Sequence, residues 1–309
     1  MNVQAGNGDG TFQPGVAYPT GTTPVSVAMA DLNGNGRLDL VTTNLLDGTV
    51  NVLLDSGSGF RAHVDYPAGF QPGALAVADV TGDGKPDLLV LTSLAATVGL
   101  LVGNGDGTFQ PMVTWPVGED PNSLVVADLN GDGKPDLVVS DDVRTDLGFL
   151  TVAVSVLLGN GDGTFQPRVD YPPGRGPAVM AVVDVSGDGK LDIVTANNGG
   201  TVSVLLGNGD GTFRAKVEYP GTVQPTGIAV ADVTGDGKVD IVTSDDNTDT
   251  VSVLTGNGDG TFQDKVEYPA GWVARSVAAV DVNHDGHPDL VVMNAFAKTV
   301  RILLATCLR

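Results

Sequence analysis

The sequence predicts an all-β chain made of repeated four-stranded units, and three observations carry this prediction. A nine-residue aspartate-rich segment occurs six times, beginning at Asp31, Asp79, Asp128, Asp184, Asp232 and Asp281. These starts lie 48, 49, 56, 48 and 49 residues apart, and a fixed period of this size indicates a repeat architecture. Between them lie short runs rich in β-branched residues, bounded by Gly, Asn and Asp, and no run shows the 3.6-residue period of a helix.

Each unit contains four of these runs, which we label strands A, B, C and D. In the third unit, strand A (123–128) enters the aspartate-rich segment and strand B (136–140) leaves it. Strand C covers 151–158, and a Gly-Asn-Gly-Asp-Gly turn then leads into strand D at 164–171. Short glycine-rich turns between such runs predict antiparallel neighbours.

Four-stranded units with a period near 49 residues are typical of the blades of a β-propeller. The chain opens with a strand D at 11–18, and its last unit has strands A, B and C without a D. We therefore expect one domain over residues 1–309 with six blades, closed by the N-terminal strand, which completes the last blade and leaves no exposed edge. A seven-bladed arrangement, which needs one more repeat, is the alternative. The predicted repeats cover approximately 24–66, 73–115, 121–171, 177–219, 225–268 and 274–305 plus 11–18.

The aspartate-rich segments, which we call the aspartate loops, have the oxygen spacing of an EF-hand calcium loop. In the third loop, side-chain oxygens occur at positions 1, 3, 5 and 9, a glycine stands at position 6, and position 7 offers its backbone carbonyl. Closely spaced carboxylates repel one another unless a cation lies among them. We therefore expect about six calcium ions, one in each blade. The predicted ligands are Asp31, Asn33, Asn35, Arg37, Asp39, Asp79, Thr81, Asp83, Lys85, Asp87, Asp128, Asn130, Asp132, Lys134, Asp136, Asp184, Ser186, Asp188, Lys190, Asp192, Asp232, Thr234, Asp236, Lys238, Asp240, Asp281, Asn283, Asp285, His287 and Asp289.

Two features of an EF-hand are missing from these loops: no acidic residue stands at position 12, and the flanking segments are not helical. Sites without that bidentate ligand should be weak, and weak sites fill only where calcium is abundant. This predicts a secreted or cell-surface location. Acidic turns that hold no metal are the alternative interpretation.

The charge of the chain agrees with calcium binding. The 309 residues carry a formal net charge of −21, with 37 acidic against 16 basic residues. Bound calcium should relieve this self-repulsion and stabilise the folded state by mass action. The acidity argues against a nucleic acid as partner. The sequence contains no run of about 18 apolar residues, so it predicts no membrane-spanning helix.

Two segments resemble the VCBS/FG-GAP repeat family, which is related to the integrin α-chain propeller. They are Ala-Asp-Leu-Asn-Gly-Asp-Gly-Lys-Pro-Asp-Leu-Val-Val (127–139) and Val-Leu-Leu-Gly-Asn-Gly-Asp-Gly-Thr-Phe (156–165), and the resemblance extends over essentially the whole chain. It implies an extracellular, calcium-stabilised propeller. It implies little about function, because the same scaffold serves lectins, adhesins and parts of enzymes.

The connections between strands divide into a regular and a variable set. In an up-and-down blade the A–B and C–D connections share one face, so the aspartate loops and glycine-rich turns lie together, opposite the variable B–C and D–A connections. Twelve of the sixteen aromatic residues occupy repeat positions and are expected in the core. The other four, all in B–C or D–A segments, are Phe70, Phe149, Trp272 and Phe296.

Off-pattern aromatic residues on a variable face are typical of a sugar-stacking or protein-docking site. We therefore expect a carbohydrate-binding, lectin-like module with candidate ligand residues Phe70, Phe149, Arg175, Trp272 and Phe296. The expected partner is a carbohydrate or an extracellular protein, and loop packing is the bland alternative for these aromatics.

The other two function classes left open are a protein-interaction or adhesion propeller and a polysaccharide lyase-like enzyme. We expect no enzyme, because the sequence contains no Gly-x-Ser-x-Gly, His-Glu-x-x-His or phosphate loop, and its three histidines lack an evident nucleophile or carboxylate partner.

Overall fold

The computed structural model describes residues 1–7, 11–144 and 150–305, and every helix or strand element in these ranges is a β-strand. No helix in the described ranges is long and apolar enough to cross a membrane. The chain divides into two compact units. The first comprises Met1–Gln4 and Pro14–Tyr171, and the second comprises Ala5–Gln13 and Pro172–Arg309.

The first unit contains a two-stranded N-terminal hairpin and three four-stranded antiparallel sheets, in which the strands follow one another in sequence order. The hairpin is β1 (Asn2–Val3) and β2 (Val16–Ala17); sheet 1 is β3 (Pro24–Ala30), β4 (Asp39–Asn44), β5 (Thr49–Leu53) and β6 (Val64–Pro67); sheet 2 is β7 (Pro72–Ala78), β8 (Asp87–Thr92), β9 (Thr97–Leu101) and β10 (Val113–Pro116); sheet 3 is β11 (Glu119–Ala127), β12 (Asp136–Arg144), β13 (Leu150–Leu157) and β14 (Val169–Tyr171).

The second unit contains two four-stranded sheets and one three-stranded sheet of the same order. Sheet 4 is β15 (Pro177–Val183), β16 (Asp192–Asn197), β17 (Thr201–Leu205) and β18 (Val217–Pro220); sheet 5 is β19 (Pro225–Ala231), β20 (Asp240–Asp245), β21 (Thr250–Leu254) and β22 (Val266–Pro269); sheet 6 is β23 (Ala274–Val280), β24 (Asp289–Asn294) and β25 (Thr299–Leu303).

Within each unit the core lies between successive sheets. Strand B is buried along its whole length in sheets 1, 2, 4 and 5, because it has a strand on either edge and a neighbouring sheet to pack against. Val50 and Val52 of sheet 1 pack with Leu88 and Val90 of sheet 2 in one apolar cluster. The β-branched runs of the sequence therefore supply the buried side chains that pack between the sheets.

Aromatic pairs join successive sheets, in line with the expectation that the aromatic residues at repeat positions belong to the core. Each pair joins the strand D aromatic of one sheet to the phenylalanine of the next C–D turn, at centroid separations of 5.2–5.5 Å and steep interplanar angles. Phe12 of the N-terminal hairpin differs, since it is 49% exposed. The pairs are Tyr18–Phe60, Tyr66–Phe109, Trp115–Phe165 and Tyr219–Phe262.

The N-terminal strand does not make the closing pairing that the sequence predicts. β2 pairs with β1, in the register Asn2↔Ala17 and Val3↔Val16. The chain thus begins with a short strand C of its own, and this strand supplies the partner that a strand D needs. Sheet 6 has three strands in the described part of the chain.

Sheet 3 also differs from the prediction, at its long B–C connection. The predicted strand B ends at residue 140 and the predicted strand C begins at residue 151, but β12 continues to Arg144 and pairs with β13 as far as Arg144↔Leu150. The seven extra residues of this repeat therefore lengthen the hairpin as well as its connection.

Candidate functional site

Each aspartate loop connects strand A to strand B and wraps its backbone around the carboxylate at position 1. In the third loop, Asp128 accepts hydrogen bonds from the backbone N–H groups of Gly131 (2.8 Å), Asp132 (3.1 Å) and Gly133 (2.8 Å). Gly131 and Gly133 have φ values of 73° and 80°, which favour glycine. The sixth loop uses His284 at φ 62° for the first of these positions.

The carboxylate at position 9 has a second task that the sequence did not reveal. Asp136 is fully buried; its Oδ2 accepts the N–H of Leu129 in the loop (2.9 Å), and its Oδ1 accepts the N–H of Gly159 in the C–D turn (2.7 Å). The same two bonds recur in all six sheets, at 2.7–3.1 Å. The position-9 aspartates therefore link each aspartate loop to the second residue after strand C of its own sheet, which in sheets 1–5 opens the C–D turn.

In sheets 2–5 the second residue after strand C is a glycine that lies very close to the aspartate loop, whereas Asp55 of sheet 1 and Ala305 of sheet 6 occupy the same position. A Cβ added to Gly159 would lie 2.2 Å from the carbonyl oxygen of Pro135, and one added to Gly207 would lie 2.1 Å from that of Leu191. In these sheets the glycine is therefore favoured by its close contact with the loop backbone.

The loop carboxylates differ in their electrostatic surroundings. Burial raises the pKa of Asp136, and the negative charges of Asp132 and Asp128 raise it further. Burial also raises the pKa values of Asp87 and Asp192, the equivalent residues of sheets 2 and 4. A cation placed among these groups would reverse that effect, since an opposite charge favours the ionised carboxylate.

Several features bear on whether a calcium ion fits these loops. The donors are hard oxygens, as calcium requires. The hydroxyl of Thr234, at position 3 of the fifth loop, is buried without a hydrogen-bond partner in the described residues. However, no three His, Cys, Asp or Glu side chains of the described ranges lie close enough together to hold a metal ion. In the second loop, the position-7 lysine, Lys85, forms a 3.0 Å ion pair with the position-5 carboxylate, Asp83.

The D–A connections before sheets 1, 2, 4 and 6 turn through a residue in the left-handed region. In sheet 6 this left-handed residue is Val273, at φ 58°, although a β-branched side chain makes that conformation costly. The N–H of Val273 donates to Asp249 Oδ1 (2.7 Å), and its carbonyl oxygen accepts the N–H of Ala295 (3.0 Å). Two hydrogen bonds thus hold the turn that presents Trp272.

Trp272 and Phe296 form an exposed aromatic pair. Their ring centroids are 5.6 Å apart and their planes are inclined by 31°. The side chains remain 64% and 65% exposed, so each ring offers a free face to solvent. The B–C and D–A connections of one sheet meet here, because Ala274 of β23 pairs with Asn294 of β24.

The same two positions recur in the other sheets, and we call the two residues of a sheet its tip pair. The tip residues Leu46, Phe70 and Leu94 are 68%, 75% and 63% exposed. Arg175 is also exposed, and its carbonyl oxygen accepts the N–H of Gly199 (3.0 Å). Phe149 lies outside the described residues. By sequence position the tip pairs are Thr22/Leu46, Phe70/Leu94, Arg175/Gly199, Val223/Asn247 and Trp272/Phe296.

The predicted ligand residues are therefore not all brought together. Trp272 and Phe296 are in contact, whereas Phe70 belongs to the tip pair of sheet 2 and Arg175 to that of sheet 4. The pairing of one D–A residue with one B–C residue was not seen in the sequence. Aligning the repeats on their strand B would have shown it, since both positions keep a fixed distance from that strand.

A buried carboxylate lies at the same end of sheet 3. Asp141 of β12 is 3% exposed, and its Oδ2 accepts hydrogen bonds from the N–H of Gly118 and the hydroxyl of Ser155, both at 2.8 Å. Its Oδ1 is buried without a hydrogen-bond partner among the described residues. Burial raises the pKa of Asp141 to about 6, against the opposing effect of these hydrogen bonds and of Arg168.

Comparison with protein families gives one result that covers most of the chain. The FG-GAP-like repeat matches residues 1–42, 89–139, 142–195, 184–243 and 232–292. No curated protein sequence matches the chain.

Solved structures with this arrangement of sheets include a lectin and a protein complex. The BP39L lectin from Burkholderia pseudomallei is 17% identical, with a TM-score of 0.69 over 99% of this chain and 92% of the lectin. BBS1N, crystallised in complex with ARL6DN, is 18% identical, with a TM-score of 0.63 over 93% of this chain and 79% of BBS1N. At these identities the likeness concerns the fold alone.

Proposed function

The chain belongs to the FG-GAP-like repeat family, and from the geometry of its tip pairs we propose that it is a calcium-stabilised extracellular module that binds carbohydrate. The observation that carries this proposal is the exposed Trp272–Phe296 pair. An aromatic face accepts the apolar C–H face of a sugar ring, and two tilted rings fix its orientation as well as its position.

Calcium has a structural role in this proposal and does not contact the ligand. The aspartate loops and the tip pairs belong to opposite ends of the strands, because strand B runs from its position-9 aspartate at one end to the B–C connection at the other. Calcium in the loops would offset the mutual repulsion of their carboxylates and so stabilise the sheets that carry the tips. The proposed extracellular location follows from the weak affinity that the ligand set predicts.

We further propose that sheets 1–6 are the six blades of one β-propeller domain. The recurring order of strands A to D and the likeness to the BP39L lectin over almost its full length support this arrangement. Seven blades would follow if the N-terminal hairpin formed part of a further blade.

A glycan array probed with the whole chain tests the sugar proposal. Replacing Trp272 by alanine should weaken binding by about tenfold or more, because buried aromatic anchors carry most of the energy of such sites. Leu46→Ala is the matched control, since it truncates an equally exposed tip in sheet 1. Melting curves of both variants show whether the fold is intact.

Two outcomes of this experiment would contradict the proposal. If the folded protein bound no glycan on the array, the carbohydrate proposal would be wrong. If Trp272→Ala and Leu46→Ala weakened binding equally, the assignment of the site to the Trp272–Phe296 pair would be wrong. Calcium is tested separately: a melting temperature that a chelator leaves unchanged would refute its structural role without touching the sugar site.

A protein-binding propeller is the second candidate, and a different observation favours it. The tips of sheets 1 and 2 also carry exposed apolar side chains. Leu46 and Phe70 are more exposed than either ring of the aromatic pair, and Leu94 is nearly as exposed as the rings. Spread over several sheets, such residues suit a broad docking surface better than a single sugar ring. The scaffold also occurs in BBS1N in complex with ARL6DN, which makes protein partners a reasonable class to test. Our proposal includes no catalytic step.

A further inference from the structure

The tip of sheet 6, which comprises residues 270–275 and 295–298, differs from the other tips in charge as well as in its aromatic pair. It contains two basic residues, Arg275 and Lys298, and no acidic residue. Both basic residues are exposed, and neither forms an ion pair with another described residue. The sheet that carries the aromatic pair therefore also offers two positive charges at the same end.

The pairing of the strands brings the basic residues near the aromatic pair. Just below the tip, one residue from each of β23, β24 and β25 pairs in a single row, which consists of Ala274, Asn294 and Thr299. Neighbouring strands lie about 4.8 Å apart, so the row spans about 10 Å. Arg275 and Lys298 are one residue from this row, and Trp272 and Phe296 are two residues from it. All four residues therefore belong to a region that a short oligosaccharide can span.

Neither basic residue is a general feature of the repeat, because sheets 1, 2, 4 and 5 have no basic residue at either position. The equivalents of Arg275 are Val25, Gly73, Ala178 and Thr226, and those of Lys298 are Gly48, Ala96, Gly200 and Asp249. Lys298 lies in the left-handed region, at φ 53°, where sheets 1 and 4 use a glycine. A lysine at such a position carries a conformational cost, and costs of this kind cluster at ligand-binding sites.

The neighbouring tip of sheet 5 is acidic, and two of its carboxylates bind the backbone. Asp245 is 1% exposed and accepts four backbone hydrogen bonds, and Asp249 Oδ1 accepts the N–H of Val273 (2.7 Å). Asp246 is a third carboxylate of this tip, and the chain as a whole has a formal net charge of −21. Like charges repel, so an anionic ligand would be attracted locally, by the two basic residues of sheet 6, and repelled by their surroundings.

We propose that the tip of sheet 6 binds an anionic saccharide, whose sugar ring stacks on the Trp272–Phe296 pair while Arg275 and Lys298 hold its carboxylate or sulfate group. This inference rests on the carbohydrate-binding function proposed above and adds the charge of the sugar. Hydrogen bonds from an ammonium or guanidinium group to an oxyanion are stronger than those to a neutral hydroxyl. The two basic residues therefore select a charged sugar over a neutral one of the same shape.

Paired glycans that differ only in charge test this proposal on the whole chain. One pair is an oligogalacturonate and its methyl ester, and the other is a sulfated galactose oligosaccharide and its desulfated form. In calorimetric titrations the charged member of at least one pair should bind about tenfold or more tightly than its neutral partner. The preference should weaken as salt is added, because ions screen exposed charges. The pair that shows the preference identifies the anionic group.

A variant that carries both Arg275→Gln and Lys298→Gln should bind the charged glycan about tenfold or more weakly and leave the affinity for its neutral partner unchanged. Arg61→Gln is the matched control. Arg61 is an exposed arginine in the C–D turn of sheet 1, and sheets 2, 3 and 5 have a glutamine at its position, so the fold accommodates the change. Melting curves show whether each variant is folded.

Two results would overturn this inference and leave a neutral sugar site on the aromatic pair in place. The first is equal or weaker binding of the charged member in both pairs, together with binding of neutral glycans. The second is an equal effect of Arg61→Gln and of the double variant, which would make the attraction non-specific. If the folded protein bound no glycan of either charge, the carbohydrate proposal itself would be wrong, and this inference would be wrong with it.

Discussion

Replacing Asp141 by asparagine should stabilise the chain at neutral pH. Asp141 is buried with one oxygen unpartnered in the described residues, and the Arg168 guanidinium lies 4.0 Å from its other oxygen, so its negative charge is only partly compensated. Asparagine has almost the same shape and keeps an oxygen that can accept from Gly118 and Ser155. Asparagine also occupies the same strand position in sheets 1 and 4, at Asn44 and Asn197, which shows that it fits there.

The size of the effect follows from the pKa of Asp141, which burial raises from 3.8 to about 6. Between these two values the native state holds a proton that the unfolded state has lost, so the free energy of unfolding falls as the pH rises. The fall is complete above about pH 6 and amounts to about 3 kcal/mol. We expect Asp141→Asn to recover about 1–3 kcal/mol of this at neutral pH, since its amide hydrogens also need partners.

Urea unfolding at several pH values, in excess calcium, measures this effect. Wild type should lose stability relative to Asp141→Asn as the pH rises from about 4 to about 6. The control is Asp245→Asn, at the same position in sheet 5. Asp245 accepts four backbone hydrogen bonds, from Val223, Gln224, Asn247 and Thr248, so an amide there should destabilise the protein. A pH-independent difference between wild type and Asp141→Asn, or a loss of stability in that variant, would refute the reasoning.

Two further predictions concern the aspartate loops. Chelation of calcium should lower the melting temperature by several degrees or more, and equal melting with and without chelator would count against bound calcium. In the presence of calcium, Asp136→Ala should cost more stability than Asp132→Ala, because only Asp136 also binds the C–D turn. Gly207→Ala should lower the free energy of unfolding by about 2 kcal/mol or more in denaturant unfolding, because its Cβ would meet a backbone carbonyl oxygen. Gly73→Ala is the control and should be tolerated, because no atom lies nearer than 3.9 Å to its added Cβ. Similar stabilities of the two variants would show that the turn relaxes.

Much of the fold could be predicted because each repeat carries the same information. The aspartate loops and the glycine-rich turns mark the ends of strands B and C, and the structure places strands at these marks in six sheets. The N-terminal strand C was missed because β1 has two residues and is followed by Gln4 and Ala5, without the leucines of its equivalents. A two-residue strand is recognised by its pairing partner, and a sequence does not show partners.

The candidate site was predictable in part for a related reason. Trp272 and Phe296 were found because they break the aromatic pattern of the repeats. The link from Asp136 to Gly159 was not found, because it joins residues 23 positions apart whose types already had another explanation. When residues are considered one loop at a time, a side chain with two roles is assigned only the role that its own loop suggests. Asp136 was therefore predicted as a metal ligand, and its bond to the C–D turn was missed.

The two ends of each sheet differ in what holds their connections, and this difference indicates where recognition can vary. At the aspartate loops, side-chain carboxylates hold the backbone, so a change of residue there breaks the loop or its C–D turn. At the tips, backbone bonds recur: the N–H of Leu45 donates to Thr23, that of Asn198 to Gly176, and that of Ala295 to Val273. Carboxylates that are not tip residues, such as Asp245 and Asp249, accept further backbone bonds there. The tip side chains take no part in these bonds, and so Thr22, Arg175 and Trp272 can occupy the same kind of turn. Ligand specificity could therefore change at the tips at little cost to the fold, which is why we propose the tips as the binding site.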